Sequence, residues 1–512
     1  EMLRRILERN LVGVDIDPHA VRVASFSLYL AMCDEIEPRQ YWSQVVFPPM
    51  RDVRLIVSDF FADDVPCFGT HSAGKSFDLV IGNAPWGNNL VTEVAEQWAK
   101  QAEPRWTIAN NDIGGLFLIK GRELLKESGQ LALIQSANAV LFNRSATAVA
   151  FRRQLFSQCR VGAIYNLSAL RFEVFKRKTH TPKRSVSPAC IVLIQPGAPS
   201  SDDRVAYVSP KYLKPFVDEF TIVIEPRDVR WVTVREALRD HAIWSTLMWG
   251  GPRDRQLIDR LRSFPTLGGL AAQGVKCNRG VQFGTKPVDA LSAHRLFDRR
   301  SFDDQSLTLD ADTLPIAGTL HLYPRDSTDY SAFIYPQLLV KRSWRKDIKR
   351  FEARLTTSKH QQSVVCSQSY ASVHARQPVL ASACLAINST IATYFLQLSS
   401  GRLAAYRPEA LIEEIRAIPL PPTADSAFDP SMSLDALDEA AFTAFGLNPA
   451  ERLLVEDMVQ TVIPDFRGED EPSGARPTRE TVGETKERIL KRYCEQFMRV
   501  LKAGFGDDRD RK

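Results

Sequence analysis

The chain has 512 residues, 44% hydrophobic and 25% charged, enough for roughly two to four domains with ample cores that need no covalent staples. No uninterrupted apolar run approaches the length of a bilayer span, so a membrane protein is not expected. The eight cysteines (33, 67, 159, 190, 277, 366, 384 and 494) are scattered without a Cys-x-x-Cys or a His pair, a pattern that argues against zinc and for packing thiols in a reducing cytosol. A formal net charge of +5 decides nothing alone, but positive charge concentrates in "RFEVFKRKTHTPKR" (171–184) and "KRSWRKDIKRFEAR" (341–354). Either stretch suits phosphate contact, and either is also an ordinary solvated surface.

The chain opens inside an amphipathic helix, "EMLRRILERN", with no start signal ahead of it, and closes in "DDRDRK" after another; the expectation is part of a longer protein. "LVGVDI" (11–16) reads as a strand, Asp17-Pro18 as an N-cap with a first-turn proline, and the following segment as a helix with Val21, Ala24, Leu28 and Ala31 on its apolar face. "RLIVSDF" (54–60) and "FDLVIG" (77–82) are two further strands. A helix over "GGLFLIKGRELLKES" stops at Gly129, and strand "QLALIQ" (130–135) follows. Helix "AVAFRRQLF" and strands "VGAIYNLS" and "ACIVLIQ" continue the alternation, which predicts a doubly wound α/β sheet with ligands beyond the carboxyl ends of its strands.

Past residue 200 the pattern changes, and the predicted domains are 1–204, a connecting region 205–270, a mixed α/β domain 271–425 and a helical tail 426–512. Short β-like stretches with Gly and Pro punctuation fill the third region. The segment 379–398 is apolar nearly all round and reads as packing.

Asp15 ends the first strand, Asp59 follows the second, and Asn83 lies just past the third. Neighbouring strands lie about 5 Å apart, so three such side chains on one sheet rim can grip one ligand. An acid after the first strand suits a ribose diol, and one after the next can accept from an adenine amino group. Singly, each Asp is equally a helix cap or turn residue. The ordered set carries more information than its members.

"VGVDIDPHAV", "VSDFF", "FDLVIGNAPWG", "GQLALIQSANAVL" and "RFEVFKRK…SPACIVLIQ", in this order, resemble the successive motifs of the adenine-N6 DNA methyltransferases, in particular the large bacterial restriction-modification type that fuses catalysis to target recognition. The resemblance covers residues 1–200, and continues more loosely through "LASACLAINSTIATYFLQLSS…IEEIRAIPLPP", similar to the recognition domain of such enzymes. It implies a Rossmann-like methyltransferase sheet lacking its N-terminal part, a target-recognition domain over 271–425, double-stranded DNA as partner, a bacterial cytoplasmic location, and a nuclease, where one exists, outside this chain. It further implies S-adenosylmethionine held by Asp15, Ile16, Asp59 and Phe60, with the target base received by Asn83, Ala84, Pro85 and Trp86. An exocyclic adenine amine is a poor nucleophile because its lone pair is delocalised into the ring. Two acceptors, the Asn83 amide oxygen and the Ala84 carbonyl, placed against its two N–H bonds would draw that nitrogen toward tetrahedral geometry without a metal. Trp86 would stack on the base, a contact worth roughly 1–3 kcal/mol, against an unstacking cost of a few kcal/mol. Phe175 matches the family's second stacking aromatic, and is equally a core residue.

Two departures stand out. The family usually has Pro where this chain has Ala84, although Pro85 still disfavours helical geometry there. The glycine-rich turn that wraps the methionine part of the cofactor is absent before residue 11, so these residues alone are expected to be inactive. Lys176, Arg177, Arg342, Trp344, Arg345 and Lys349 are the expected DNA contacts, and Arg345→Ala is expected to weaken DNA binding with a shallower salt dependence. A catalytically silent DNA-binding module and a methyltransferase acting on RNA or a protein amide remain as alternatives.

Overall fold

The computed structural model describes residues 2–41, 45–65, 68, 77–87, 90–170, 188–211, 222–302, 306–405, 408–422, 428–464 and 479–505. Two compact units divide the chain, Glu1–His241 and Ala242–Lys512.

The first unit opens with helix Met2–Arg9 and strand β1, Gly13–Asp15, followed by helix Pro18–Asp34. The expected cap is present: the Asp17 carboxylate accepts the His19 N–H at 2.8 Å, with Pro18 in the first turn. The buried face of this helix runs through Val21, Ser25 and Met32 rather than Ala24 and Ala31, which are exposed. Met32 fills the small core with Leu7, Met50 and Leu55, and the larger side chain sets which face turns inward. β1 pairs in parallel with β2, Leu55–Val57, through Gly13↔Leu55 and Asp15↔Val57.

A six-stranded sheet follows. Its strands are β3 (Phe77–Asn83), β4 (Leu125–Ser136), β5 (Arg160–Asn166), β6 (Ala189–Gln195), β7 (Arg204–Val208) and β8 (Val229–Thr233), in the order β3-β4-β6-β5-β7-β8. The sheet is mixed rather than uniformly parallel: β3 runs with β4 and β5 with β7, while β6 is antiparallel to both its neighbours and β8 to β7. β7 starts at Arg204 and β8 lies past it, so the sheet continues into the region read from sequence as a connector. β4 begins at Leu125, earlier than expected, and carries Gly129 as a register shift; a Cβ at that glycine would lie 2.7 Å from the Phe77 carbonyl oxygen.

The second unit is built on a five-stranded sheet in the order β12-β15-β14-β17-β9. Its strands are β9 (Lys276–Arg279), β12 (Thr308–Asp310), β14 (Gln337–Arg345), β15 (Arg350–Thr357) and β17 (Tyr370–His374). Two short pairs accompany it, β10 (Phe283–Val288) with β13 (Leu320–Leu322) and β11 (Arg295–Phe297) with β16 (Val364–Cys366). Helices Gln377–Asn388 and Thr390–Ser399, bent by 72° at their junction, are buried almost throughout, which agrees with the packing role read from their composition. No single described helix is long and apolar enough to cross a membrane. Residues 434–459 are not a loose tail: Leu437, Ala441, Phe442, Val455 and Met458 enter the same core as Leu380, Leu385 and Phe395. Burial pushes the thiols of Cys277, Cys366 and Cys384 up to about 12, which leaves them as packing groups.

Candidate functional site

Asn83 is the last residue of β3 and pairs with Ile134 of β4. It is exposed, Ala84 beside it is buried, and Trp86 is half-buried. The Trp86 indole N–H donates to the Asn83 amide oxygen at 3.1 Å. An indole nitrogen is a donor only, so the bond orients the Asn83 amide, and a second lone pair on its oxygen remains for another N–H. The sequence reading of Trp86 as a free stacking face misses this bond.

Asp15 and Asp59 meet at one edge. The Ser58 N–H donates to the Asp15 carbonyl at 3.0 Å, extending the β1–β2 ladder and delivering Asp59 beside the end of β1. One carboxylate oxygen of each closes a local turn: Asp15 accepts from Asp17 N–H and Asp59 from Phe61 N–H, both at 2.8 Å. Both residues therefore form turns, as their residue type allows, and Asp15 with the neighbouring Ile16 is also open to solvent. Phe60 is different. Its ring stacks on Phe117 at 4.8 Å and meets Phe61 and Phe68 edge-on, so it belongs to an aromatic cluster.

That cluster links the two halves of the site. Phe117 lies on helix Gly114–Glu123, and the loop leading into this helix touches the Asn83–Gly87 turn. Asp112, buried in this loop, accepts the backbone N–H of Gly114 at 3.0 Å and faces that of Gly87. Burial raises its carboxyl above the ordinary carboxylate value, and the two N–H groups partly offset that. Gly87 has φ of +144°, a conformation open to glycine and strained for other residues. A Cβ at Gly114 would lie 2.6 Å from the Gln135 side-chain oxygen, 3.2 Å from that of Asp112 and 3.3 Å from the Pro85 carbonyl. Sequence reasoning passed over Asp112 and Gln135. The polar run Asn110-Asn111-Asp112 ahead of Gly114-Gly115 was the available signal.

The basic segment of the second unit is corrected by the structure. Arg342 and Trp344 are buried. The Arg342 guanidinium donates to the Gln368 and Ala410 carbonyls and pairs with Glu409 at 2.8 Å, and Trp344 sits in the apolar core. Arg345 is held by Asp347 and Glu352, which raise its affinity for the proton further. Arg350 forms a two-bond fork with Asp438, at 2.8 and 2.7 Å. The physical reason is pairing: each inward arginine finds a carboxylate, which lets it leave water. Lys349 is half-buried at the β14–β15 turn with φ of 54°. Phe175, Lys176 and Arg177 lie outside the described residues.

Residues 9–175 match the Eco57I restriction-modification methylase family. This matched region contains Asp15, Asp59, Asn83, Trp86, Asp112 and Gln135. Over 155 residues the chain is 29% identical to a protein of Methanocaldococcus jannaschii named for a type II restriction enzyme and methyltransferase; the match takes in 30% of this chain and 12% of that protein. Among solved structures, the type IIL restriction-modification enzyme MmeI, determined in complex with DNA, is similar at a TM-score of 0.46 and 9% identity, over 96% of this chain and 66% of that one. The type IIG restriction endonuclease BpuSI is similar at a TM-score of 0.35 and 13% identity, over 89% and 64%.

Proposed function

We propose that this chain carries the base-receiving part of an S-adenosylmethionine-dependent DNA methyltransferase that modifies the exocyclic N6 of a flipped adenine, within a restriction-modification or phage-defence protein. The observation that carries the reading is the exposed Asn83 amide at the end of β3, oriented by the half-buried Trp86 inside a methylase region. In this reading the Asn83 oxygen and the Ala84 carbonyl accept the two N–H bonds of the base amine, localising its lone pair for attack. Asn83 has no basic site, so the displaced proton leaves to water. Trp86 covers the ring, and its indole N–H keeps the amide oxygen facing the base.

Asp15 and Ile16 fit the proposed cofactor, because a carboxylate and an apolar side chain stand open to solvent side by side at the end of β1. Asp59 lies beside them with one oxygen engaged by its own turn. Bound there, S-adenosylmethionine would supply an electrophilic methyl group. Double-stranded DNA is the proposed partner, and its contacts are to be sought outside Arg342 and Trp344.

The test is methyl transfer from labelled S-adenosylmethionine to duplex DNA, RNA and protein, by this chain alone and joined to any upstream glycine-rich segment its gene encodes. Label on adenine N6 that disappears in Asn83→Ala supports the proposal. Label only on RNA or protein, or DNA binding without any transfer, overturns it.

A further inference from the structure

Nothing in the chemistry of the Asn83–Gly87 turn explains why a buried carboxylate stands behind it. Asp112 is 6% exposed; its carboxylate accepts the Gly114 N–H at 3.0 Å and also faces the Gly87 N–H across a gap. Gly114 opens the helix carrying Phe117; Gly87 closes the turn carrying Asn83 and Trp86. A residue serving only as a helix cap would need the bond to Gly114 alone, yet here the helix start also lies against the turn, where a Cβ at Gly114 would stand 3.3 Å from the Pro85 carbonyl.

The segment holding Asp112 is itself braced. Asn110 and Asn111 have φ of 52° and 57°, in a region that non-glycine residues enter uncommonly, with Asn among those best suited to it. The Ser145 hydroxyl donates to the Asn110 side-chain oxygen at 2.6 Å, and the Asn110 N–H donates to the Thr147 hydroxyl at 3.3 Å. Both partners belong to the start of helix Ala146–Gln158, where Ser145 is the N-cap. The Asp112 N–H closes back on the Ala109 carbonyl at 2.9 Å. Backbone in such a conformation persists where its surroundings over-determine it, and here they fix the position of one carboxylate.

We infer that Asp112 is a positioning residue: held by helix Ala146–Gln158 through Asn110, it bonds the start of helix Gly114–Glu123, backs the Pro85–Gly87 side of the turn and so sets where Asn83 and Trp86 stand. The inference rests on the proposed role of that turn for its purpose, but its geometry can be tested without any methyl transfer. Hydrogen exchange in the whole chain, read by mass spectrometry, is the measurement. In Asp112→Ala the amides of Trp86 and Gly87 are expected to exchange at least tenfold faster, with those of β3 and of helix Gly114–Glu123 unchanged. Asp112→Asn keeps a side-chain oxygen acceptor and is expected to restore most of the protection.

Gly114→Ala supplies a second route, independent of whether the first variant folds. Alanine favours a helix more than glycine does, yet its methyl group would press on Gln135, Asp112 and Pro85. The expected result is at least fivefold faster exchange at Trp86 and Gly87 with no faster exchange in the helix. Unchanged exchange at 86–87 in the folded variants, or acceleration spread evenly over β3 and the helix, overturns the inference whether or not adenine proves to be the substrate. In a protein that does transfer methyl groups, Asp112→Ala is further expected to lower kcat at least tenfold with KM for DNA unchanged; a change confined to KM overturns it.

Discussion

β3 in the first unit leaves Leu79 57% and Ile81 70% exposed, while β15 in the second holds Arg350, Glu352 and Arg354 inside, Glu352 at 1%. Apolar side chains face water in one strand and charged ones are sealed in the other. What decides burial in both is the supply of partners. Glu352 lies 2.9 Å from both Arg345 and Arg354, with Lys341 at 3.9 Å, and the Arg354 guanidinium also covers the Phe302 ring at 4.6 Å. Among the described residues the outward face of β3 has no such complement, although Val80 on its other face approaches helix Gly114–Glu123.

The contrast can be broken most directly at Glu352. Glu352→Ala removes the anion shared by three cations and leaves buried charge uncompensated, a loss on the order of 3–5 kcal/mol. Denaturant unfolding followed by hydrogen exchange in β14 and β15 measures it. A loss of under about 1 kcal/mol, as for exposed pairs, would mean that water already reaches this network, and the opposition between the two strands would fail.

Asn83 stands on the other side of the comparison. It is exposed and makes no core contact, so Asn83→Ala should change stability by no more than about 0.5 kcal/mol. Under the proposed function it should nevertheless lower turnover by roughly a hundredfold to a thousandfold, the scale for losing one well-placed polar group in a transition state. DNA affinity should change far less. Equal losses in turnover and affinity would reduce Asn83 to a shaping residue.

These two sites also show what the sequence could and could not convey. The strands, the Asp17-Pro18 cap and the turn after β3 were legible because each is set by short-range patterning: apolar runs, an N-cap, a proline. The antiparallel β6 and the extension of the sheet through β7 and β8 were not, since strand order depends on pairings between distant residues. Asp112 escaped notice because the turn it backs, at Pro85–Gly87, lies on another segment. The basic run at 341–354 misled for a similar reason. Charge is visible in the chain, but the carboxylates that neutralise it, Glu409 and Asp438, come from far along it.

Arg345→Ala now carries an expectation opposite to the one drawn from sequence. Its guanidinium is already committed to Asp347 and Glu352, so under the proposed function the salt dependence of DNA binding should keep its slope. The second unit should lose about 1 kcal/mol of stability, since the pair with Asp347 is partly solvated. A shallower salt slope would return Arg345 to the DNA-facing surface.

The smallest effect belongs to Asp112, whose sign follows from burial. Its folded carboxyl titrates above the ordinary value of 3.8, chiefly because burial penalises the charge. Well below 3.8 it is neutral in both states and contributes no pH dependence. As the pH rises, the unfolded chain releases this proton more readily than the folded one, so stability falls through the folded value and stays lower above it. Asp112→Asn lacks that fall. The variant should therefore unfold at slightly higher temperature than the parent at pH 7, with the difference shrinking as the solution is acidified toward pH 4. A parent more stable than the variant at pH 7 would show that the bond to Gly114 and the nearby Gly87 N–H outweigh burial. The expected order has the carboxylate retained against its own contribution to stability, which is the relation a group kept for the geometry of a neighbouring turn should show.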